Sequence, residues 1–241
     1  MAQHDRSTDE NYRIMFGISI ITSKLSQQKS ILQRFYRNHP NPNINNSILF
    51  IETILSKLSK ANSIKQLMGF EGVATRAYFQ SFSRLLLGHF EFHGRNRRPP
   101  KDPVNAMLSF GYTLLVNELT SLLESSGFDC FLGILHGFRY GRQSLPLDII
   151  EEFRHSIVDR FVLSTINRQQ FHLSDFQNTE TKGVRFNQQA LKKFLRLWEE
   201  RMRSPVIPNE MSHRECFQKQ VLELEEALIH GRIYQPSKWK F

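Results

Sequence analysis

The sequence predicts an all-α fold, and three observations carry that expectation. Apolar residues recur at three- and four-residue spacing through the long segments, clusters of Pro, Asn and Gly separate those segments, and several segment starts carry helix-capping residues. At most a minor strand or hairpin interrupts the helices. Of the 241 residues, 40% are hydrophobic and 20 are Phe. Such a composition fills a packed core and excludes a chain that stays disordered.

Residues 1–12 are polar and read as a flexible leader, ahead of one helical domain over 13–241. From about Tyr12 to Phe35, Ile14, Ile18, Ile21, Leu25, Ile31 and Leu32 mark an amphipathic helix that stops at NHPNPNINNS (38–47). A second helix, about 47–60, carries Ile48, Ile51, Ile54, Leu55 and Leu58. The third, about 70–90, opens on Gly69-Phe70-Glu71-Gly72 and ends in the loop FHGRNRRPPKDP (92–103). Asp102 as N-cap and Pro103 in the first turn start a helix that runs to about Leu123. Glycines punctuate 126–144, where Cys130–Leu135 forms either a short strand or a helical turn. Ser144 and Pro146 open a helix over roughly 147–168, with Ile150, Phe153, Ile157 and Phe161 as its core stripe. Residues 172–187 are polar and irregular, with room for a hairpin near Val184. Asn187 caps a helix carrying Ala190, Leu191, Phe194, Leu195, Trp198 and Met202, and Ser212-His213-Arg214-Glu215 has the spacing of a capping box for the last helix, which ends near Gly231.

The charge balance is 32 Lys and Arg against 23 Asp and Glu, a formal +9. A surface of this sign attracts polyanions, nucleic acid or an anionic membrane first. Cys130 and Cys216 stand in no metal-binding spacing and read as buried small apolar residues in a reducing compartment. No run approaches ~18 consecutive apolar residues, and the polar, acid-containing N-terminus is no signal peptide. The expectation is a soluble, cytoplasmic protein with no membrane partner.

Three places put chemically capable residues in unusual settings. Glu71 lies between two glycines at an expected helix start, where small neighbours leave room for a substrate backbone and the helix dipole favours a carboxylate. His136 sits in Leu135-His136-Gly137, where a lone imidazole is most often a hydrogen-bonded core residue. Asp148 and Glu151 are three apart on one helix and share a face, with Glu152, His155 and Asp159 nearby. Read singly, each has an ordinary explanation: a dipole-complementing acid, a core histidine, an acidic surface. Together they describe a site for a hard cation, since carboxylate oxygens suit Mg²⁺ or Mn²⁺ and one imidazole nitrogen tilts the choice towards Mn²⁺. Arg95, Arg97, Arg98, Lys101, Arg139, Arg142 and Arg154 surround it in sequence. Phosphodiester chemistry calls for that combination, because the ion stabilises developing charge while basic side chains hold neighbouring phosphates.

Four motifs follow one another: GFEGVATRAYFQSF (69–82), GRNRRPPKDPVNAMLSFGYTLL (94–115), GILHGFRYGRQSLPLDIIEEFR (133–154) and VDRFVLSTINR (158–168). In this order they resemble the catalytic helical domain of the CRISPR-associated endonuclease/integrase family, Cas one. The stretch from Asn187 through SHRECFQKQ to IYQPSKWKF is similar to that family's end, so the resemblance covers roughly 13–241. It implies Glu71, His136 and Glu151 as metal ligands for Mg²⁺ or Mn²⁺, with Asp148 as a supporting carboxylate. It also implies a transesterification in which a prespacer 3′-OH attacks a repeat phosphodiester during spacer acquisition, with hydrolysis as the nuclease counterpart. Arg139 is the implied phosphate contact, with Arg142, Arg76, Arg95, Arg97 and Arg98 as further DNA candidates. Arg76, Tyr78, Asn105 and Tyr112 occupy familiar motif positions, and core packing is the other reading of both tyrosines. The implied partners are double-stranded and branched DNA, a second copy in a homodimer, and the Cas two subunit. Members of the family ordinarily begin with a β-rich domain that serves the dimer and meets Cas two, whereas this sequence starts almost directly at the helical domain. The alternative expectation is therefore a truncated, non-enzymatic DNA-binding relative.

Overall fold

A computed structural model describes residues 1–180, 182–206 and 211–237. The regular structure of the described residues is helical apart from one short hairpin, as expected. The helices are α1 (Ala2–Thr8), α2 (Glu10–Asn38), α3 (Pro42–Leu58), α4 (Ile64–Phe82), α5 (Pro103–Ser125), α6 (Ser144–Ile150), α7 (Arg160–Asn167), α8 (Gln188–Arg203) and α9 (His213–His230). The hairpin pairs β1 (Phe176–Asn178) with β2 (Val184–Phe186), antiparallel, with Phe176 opposite Phe186.

Helix α2 is the axis of the molecule. Its buried stripe of Phe16, Ile20, Ile21, Leu25 and Leu32 packs against α3 and α4 on one side and the segment Arg154–Asp159 on the other. Behind that segment α5 packs on α6, α7, α9 and β2. Helix α5 alone among the described residues has the length and apolarity to cross a membrane, and here it serves as a core helix. The phenylalanines explain the aromatic content. Phe161, Phe171, Phe186 and Phe194 meet one another or Trp198 at centroid separations of 5.1–6.5 Å, and Tyr78, Phe79, Phe82 and Phe92 form a second group. Ring contacts at these separations, edge-on in the pairs Tyr78–Phe82, Phe161–Phe194 and Phe161–Trp198, add to the area they bury.

Capping follows the sequence closely. Asp102, Asn187 and Ser212 each accept a backbone N–H at a helix start, and Ser212 with Glu215 forms the expected capping box. Gly231 closes α9 with φ +66°, and the guanidinium of Arg6 lies where any Cβ would stand.

Several expectations need correction. The first residues are not a loose leader: α1 packs on α2 and α9, and Gln3 donates to the carbonyls of Asp129 and Leu132, both at 2.8 Å. Helix α3 begins at Pro42, because Asn41 caps it and proline suits the first turn. Helix α4 begins at Ile64 under a Ser63 cap and gives way to a 3₁₀ turn at Ser83–Leu85. Cys130–Leu135 is neither strand nor helical turn but irregular chain. The helix expected over 147–168 is interrupted: α6 ends at Ile150, a turn follows, and Arg154–Asp159 is π-helical before α7 resumes. Of the terminal stretch that resembles the family's end, residues 207–210 and 238–241 lie outside the described residues. Cys130 and Cys216 are free and buried, as expected.

Candidate metal centre and its basic surroundings

The interrupted helix is what builds the site. A π-helical turn accommodates an extra residue and turns side chains that a regular helix would place elsewhere. Here it directs Arg154, His155 and Asp159 inward beneath Glu151, and all of these acids and bases are buried or nearly so.

Glu71 and Glu151 converge on one point. That point holds the ammonium of Lys24 from α2, which contacts Glu71 Oε1 and lies 2.6 Å from Glu151 Oε2. The Lys24 side chain is 5% exposed and that of Glu151 9%, whereas Glu71 retains 17%. Arg154 Nη2 faces the other Glu151 oxygen at 3.2 Å. Burial alone would raise the Glu151 carboxyl, but the charges of Arg154 and Lys24 outweigh it and hold the group well below the usual carboxylate range. Glu151 is therefore ionised at neutral pH.

Glu71 is not at a helix start. Ser63 caps α4, so Glu71 lies two turns in, beyond the reach of the helix dipole. The open neighbourhood is real, however: a Cβ on Gly69 or Gly72 would meet nothing within 4 Å.

Asp148 supports His136 by geometry. Its Oδ2 accepts the backbone N–H of Ile134 at 2.6 Å and Leu135 at 2.9 Å, and its Oδ1 accepts the His136 N–H at 2.8 Å. The His136 Nδ1 lies 2.6 Å from the same Oδ1. With Nδ1–H donating there, Nε2 is left with its lone pair, in the arrangement typical of a ligating histidine. The imidazole lies within electrostatic range of Glu151, and 22% of its side chain is exposed. The turn tolerates only glycine at 133, where a Cβ would stand 2.4 Å from the His136 carbonyl oxygen and 2.6 Å from Ser144 Cβ. Glu152, the neighbour of Glu151, points elsewhere: it accepts from Tyr234 Oη and from the Ser237 N–H at 2.8 Å. Burial pushes its carboxyl up to about 8.

A hydrogen-bonded circuit closes behind the two glutamates. Thr75 donates to Glu71 at 2.8 Å, Gln28 donates to Thr75 at 3.0 Å, and Gln28 meets His155 Nε2 at 2.9 Å. His155 Nδ1 meets Asp159 at 2.6 Å, and Asp159 also accepts from Tyr78 at 2.8 Å and from Tyr112. The Tyr112 ring lies under Arg154, 5.0 Å from its centroid, which returns to Glu151. Both tyrosines therefore serve the site through Asp159 while they pack in the core. Lys24, Gln28 and Thr75 carry no motif that marks them as site residues in the sequence. The signal was present in Lys24 and Gln28, two polar residues on the buried stripe of an amphipathic helix, at Ile20+4 and Lys24+4.

The basic candidates divide. Arg76, Arg95 and Arg97 line a groove of about 610 Å³ beside Gly72 and Thr75, one helical turn from Glu71. Within it Arg95 is committed to the protein, donating to Asn105 Oδ1 at 2.7 Å and Ser109 Oγ at 3.0 Å and lying over Tyr112. Asn105 also accepts the Asn96 N–H at 3.0 Å and so pins the arginine-rich loop. Arg142 likewise holds its own loop, donating to the Gly137 carbonyl at 2.6 Å and to Ser144 Oγ at 3.1 Å. Arg76, Arg97, Arg98 and Arg139 are exposed. Arg139 stands between Phe138 and Tyr140, whose rings are also exposed.

The donor set fits a divalent cation. Two carboxylates already converge on a positive charge, and a tautomerically fixed imidazole stands beside them. Among the described residues, no three His, Cys, Asp or Glu side chains are gathered tightly enough to hold an ion while Lys24 lies between the glutamates. An ion that binds there must displace the ammonium.

Known proteins are similar to this chain in sequence and in fold. A family model described as CRISPR associated protein Cas1 matches residues 1–200. The CRISPR-associated endonuclease Cas1 of Leptospira interrogans is 36% identical over 213 residues, 86% of this chain and 84% of that protein. The chain spans 57%, 68% and 56% of the length of three further curated relatives. A solved structure described as a partial Cas6-RT-Cas1–Cas2 complex superposes with a TM-score of 0.88 at 27% identity, over 100% of this chain and 72% of that one. A casposase bound to integration product gives 0.86 at 25% identity, over 100% and 71%.

Proposed function

The chain belongs to the Cas1 family, and on that premise we propose that it is a metal-dependent DNA endonuclease and integrase of spacer acquisition. One observation carries the chemistry: Glu71 and Glu151 meet at a single cationic point beside a histidine whose free nitrogen is fixed by Asp148. In this reading Glu71, His136 and Glu151 hold Mg²⁺ or Mn²⁺. When bound, the ion supplies Lewis-acid stabilisation of the charge that builds on the attacked phosphate.

The chain's own groups do the rest. Asp148 keeps His136 oriented, and Arg154 keeps Glu151 ionised. Lys24, once displaced, is a buried cation beside the reacting phosphate and can neutralise one of its oxygens. Arg76 and Arg97 hold the strand along the groove next to Glu71, while Phe138 and Tyr140 offer stacking faces to unpaired bases on either side of Arg139. In strand transfer the prespacer 3′-hydroxyl loses its proton and bonds to phosphorus. The repeat strand's bridging 3′-oxygen leaves as the new hydroxyl, and water in place of the prespacer gives hydrolysis. The proposed partners are double-stranded and branched DNA, a second copy of the chain, and Cas2. The superposed structures, one a partial Cas6-RT-Cas1–Cas2 complex and one a casposase bound to integration product, support DNA and Cas2.

A second reading, a DNA-binding relative without catalysis, draws on Lys24, which already satisfies both glutamates. A Mn²⁺-dependent strand-transfer assay on branched DNA, with and without Cas2, separates the two. Glu71→Gln and His136→Ala are expected to lose joining and cleavage while binding DNA as well as the parent, because phosphate contacts dominate affinity. Joining at the parental rate by either variant removes the metal-site assignment, and an inactive parent that binds DNA but no Mn²⁺ selects the second reading.

A further inference from the structure

Two more grooves run along α2. One, of about 880 Å³, follows the side of α2 that carries Ser19, Ser23, Ser26 and Ser30, and reaches Arg34 and Arg37. The other, of about 810 Å³, extends past Arg34 and Arg160 to Arg168 and Arg201 at the ends of α7 and α8. Ile31, Arg34 and Arg160 line both, so the two are one continuous channel. At 3.6 residues per turn, the serines and Arg34 lie on the side of α2 turned away from Lys24 and Gln28. The channel shares no lining residue with the groove beside Glu71.

Its charge is one-sided. Five arginines line it, at 34, 37, 160, 168 and 201, against one acid, Glu200, whose ion-pair partner is Arg196 at 3.9 Å. Among the described residues none of the five guanidinium groups has a hydrogen-bond or ion-pair partner, and Arg201 Nε is buried without an acceptor. Burial together with Arg34 and Arg201 pushes Arg160 down to about 10, and burial with Arg168 and Arg34 lowers Arg201. Cations crowded and partly dehydrated in this way oppose folding unless an anion relieves them.

Shape and lining select the anion. From Met15 to Arg37 the helix rises roughly 33 Å, close to one turn of duplex DNA. Hydroxyls and amides of Ser, Thr, Asn and Gln line the walls between the arginines, groups that bond phosphate oxygens without reading bases. Of the lining rings Phe161 is buried and Phe35 is half-buried against His39, which leaves little of the stacking platform that single strands require.

We infer that this channel is a second, sequence-independent DNA-holding surface, on which Arg34, Arg37, Arg160, Arg168 and Arg201 grip the phosphates of a duplex arm remote from the reacting phosphate. The inference rests on DNA being the substrate. Its test is the salt dependence of binding between the intact chain and a duplex of about 20 base pairs, over roughly 50 to 300 mM KCl. Arg34, Arg37 and Arg168 are exposed and crowd like charges, so the triple variant R34Q/R37Q/R168Q is expected to melt at or above the parental temperature. The slope of log K against log salt should fall by about two to three units, whereas Glu71→Gln should leave it unchanged. A triple variant with the parental slope overturns the channel, and leaves the catalytic reading standing if R97Q/R98Q lowers the slope instead. Loss of poly-glutamate binding at an unchanged DNA slope also overturns it, assigning the channel to an acidic protein. A parent chain without salt-dependent duplex binding removes the substrate reading itself.

Discussion

Lys24 is the residue on which the site turns. It neutralises two buried carboxylates, and removing one member of such a group leaves uncompensated charge in a poorly hydrated place. Lys24→Met should therefore destabilise the fold by roughly 3 kcal/mol, at the lower end of such losses because Arg154 still faces Glu151. If the two glutamates bind a divalent ion, Mn²⁺ should restore much of that loss and raise the variant's melting temperature more than the parent's. Thermal melts in EDTA and in Mn²⁺ check this, and equal shifts in both proteins would remove the shared site. Asp148→Asn makes a complementary case. The carboxylate accepts three backbone N–H groups and faces His136 Nδ1, and an amide turns a donor towards one pair of those donors. A cost of about 2–4 kcal/mol is expected, with a matching loss of Mn²⁺ affinity measured by calorimetry. Stability loss with unchanged affinity would confine Asp148 to holding the turn. Residue types and motif order made Glu71, His136, Asp148 and Glu151 legible in the sequence. Lys24 was not, because a lysine in a long helix reads as a solvated side chain until Phe16, Ile20, Ile21 and Leu25 are known to form the buried stripe and place it on the core side.

Boundaries at the scale of the element show where local chemistry decides and where packing does. The starts of α5, α8 and α9 were readable because a capping side chain acts over three residues. Ser212→Ala should cost about 1 kcal/mol in denaturant unfolding, and no measurable change would mean that Glu215 alone secures the α9 start. The break after Ile150 was not readable. Nothing between 147 and 168 is a proline or glycine, and the stripe Ile150, Phe153, Ile157, Phe161 fits one continuous helix. The π-helical turn is held instead by tertiary partners of its polar residues: His155 with Gln28, Asp159 with Tyr78 and Tyr112, Arg154 with Glu151. The same holds for α1. A polar heptapeptide without a buried residue has no periodic signal, yet Gln3 and Arg6 anchor it to carbonyls more than a hundred residues away in sequence.

Across the whole molecule the excess of positive charge is organised rather than spread, and His213 reports on it. This imidazole opens α9, is buried, and faces Arg201 and Arg160, while its Nδ1 meets the Ser204 carbonyl oxygen at 3.0 Å. Burial first, then the two arginines, push it down to about 4. A folded state that resists protonating a histidine loses stability wherever the unfolded chain binds the proton and the folded chain does not. That window runs from near 6.5, the unfolded value, down to about 4, and above it the penalty is absent. Stability should therefore decline by up to about 3 kcal/mol as pH falls through the window. His213→Asn places an amide N–H where Nδ1 donates and removes the titration, so its stability profile should be flatter over the same interval. Urea unfolding of both proteins at several pH values measures the difference. Parallel profiles would show that the acid sensitivity arises elsewhere. A flatter profile that steepens again in R34Q/R37Q/R168Q would contradict the coupling, because removing cations can only ease protonation near Arg160 and Arg201.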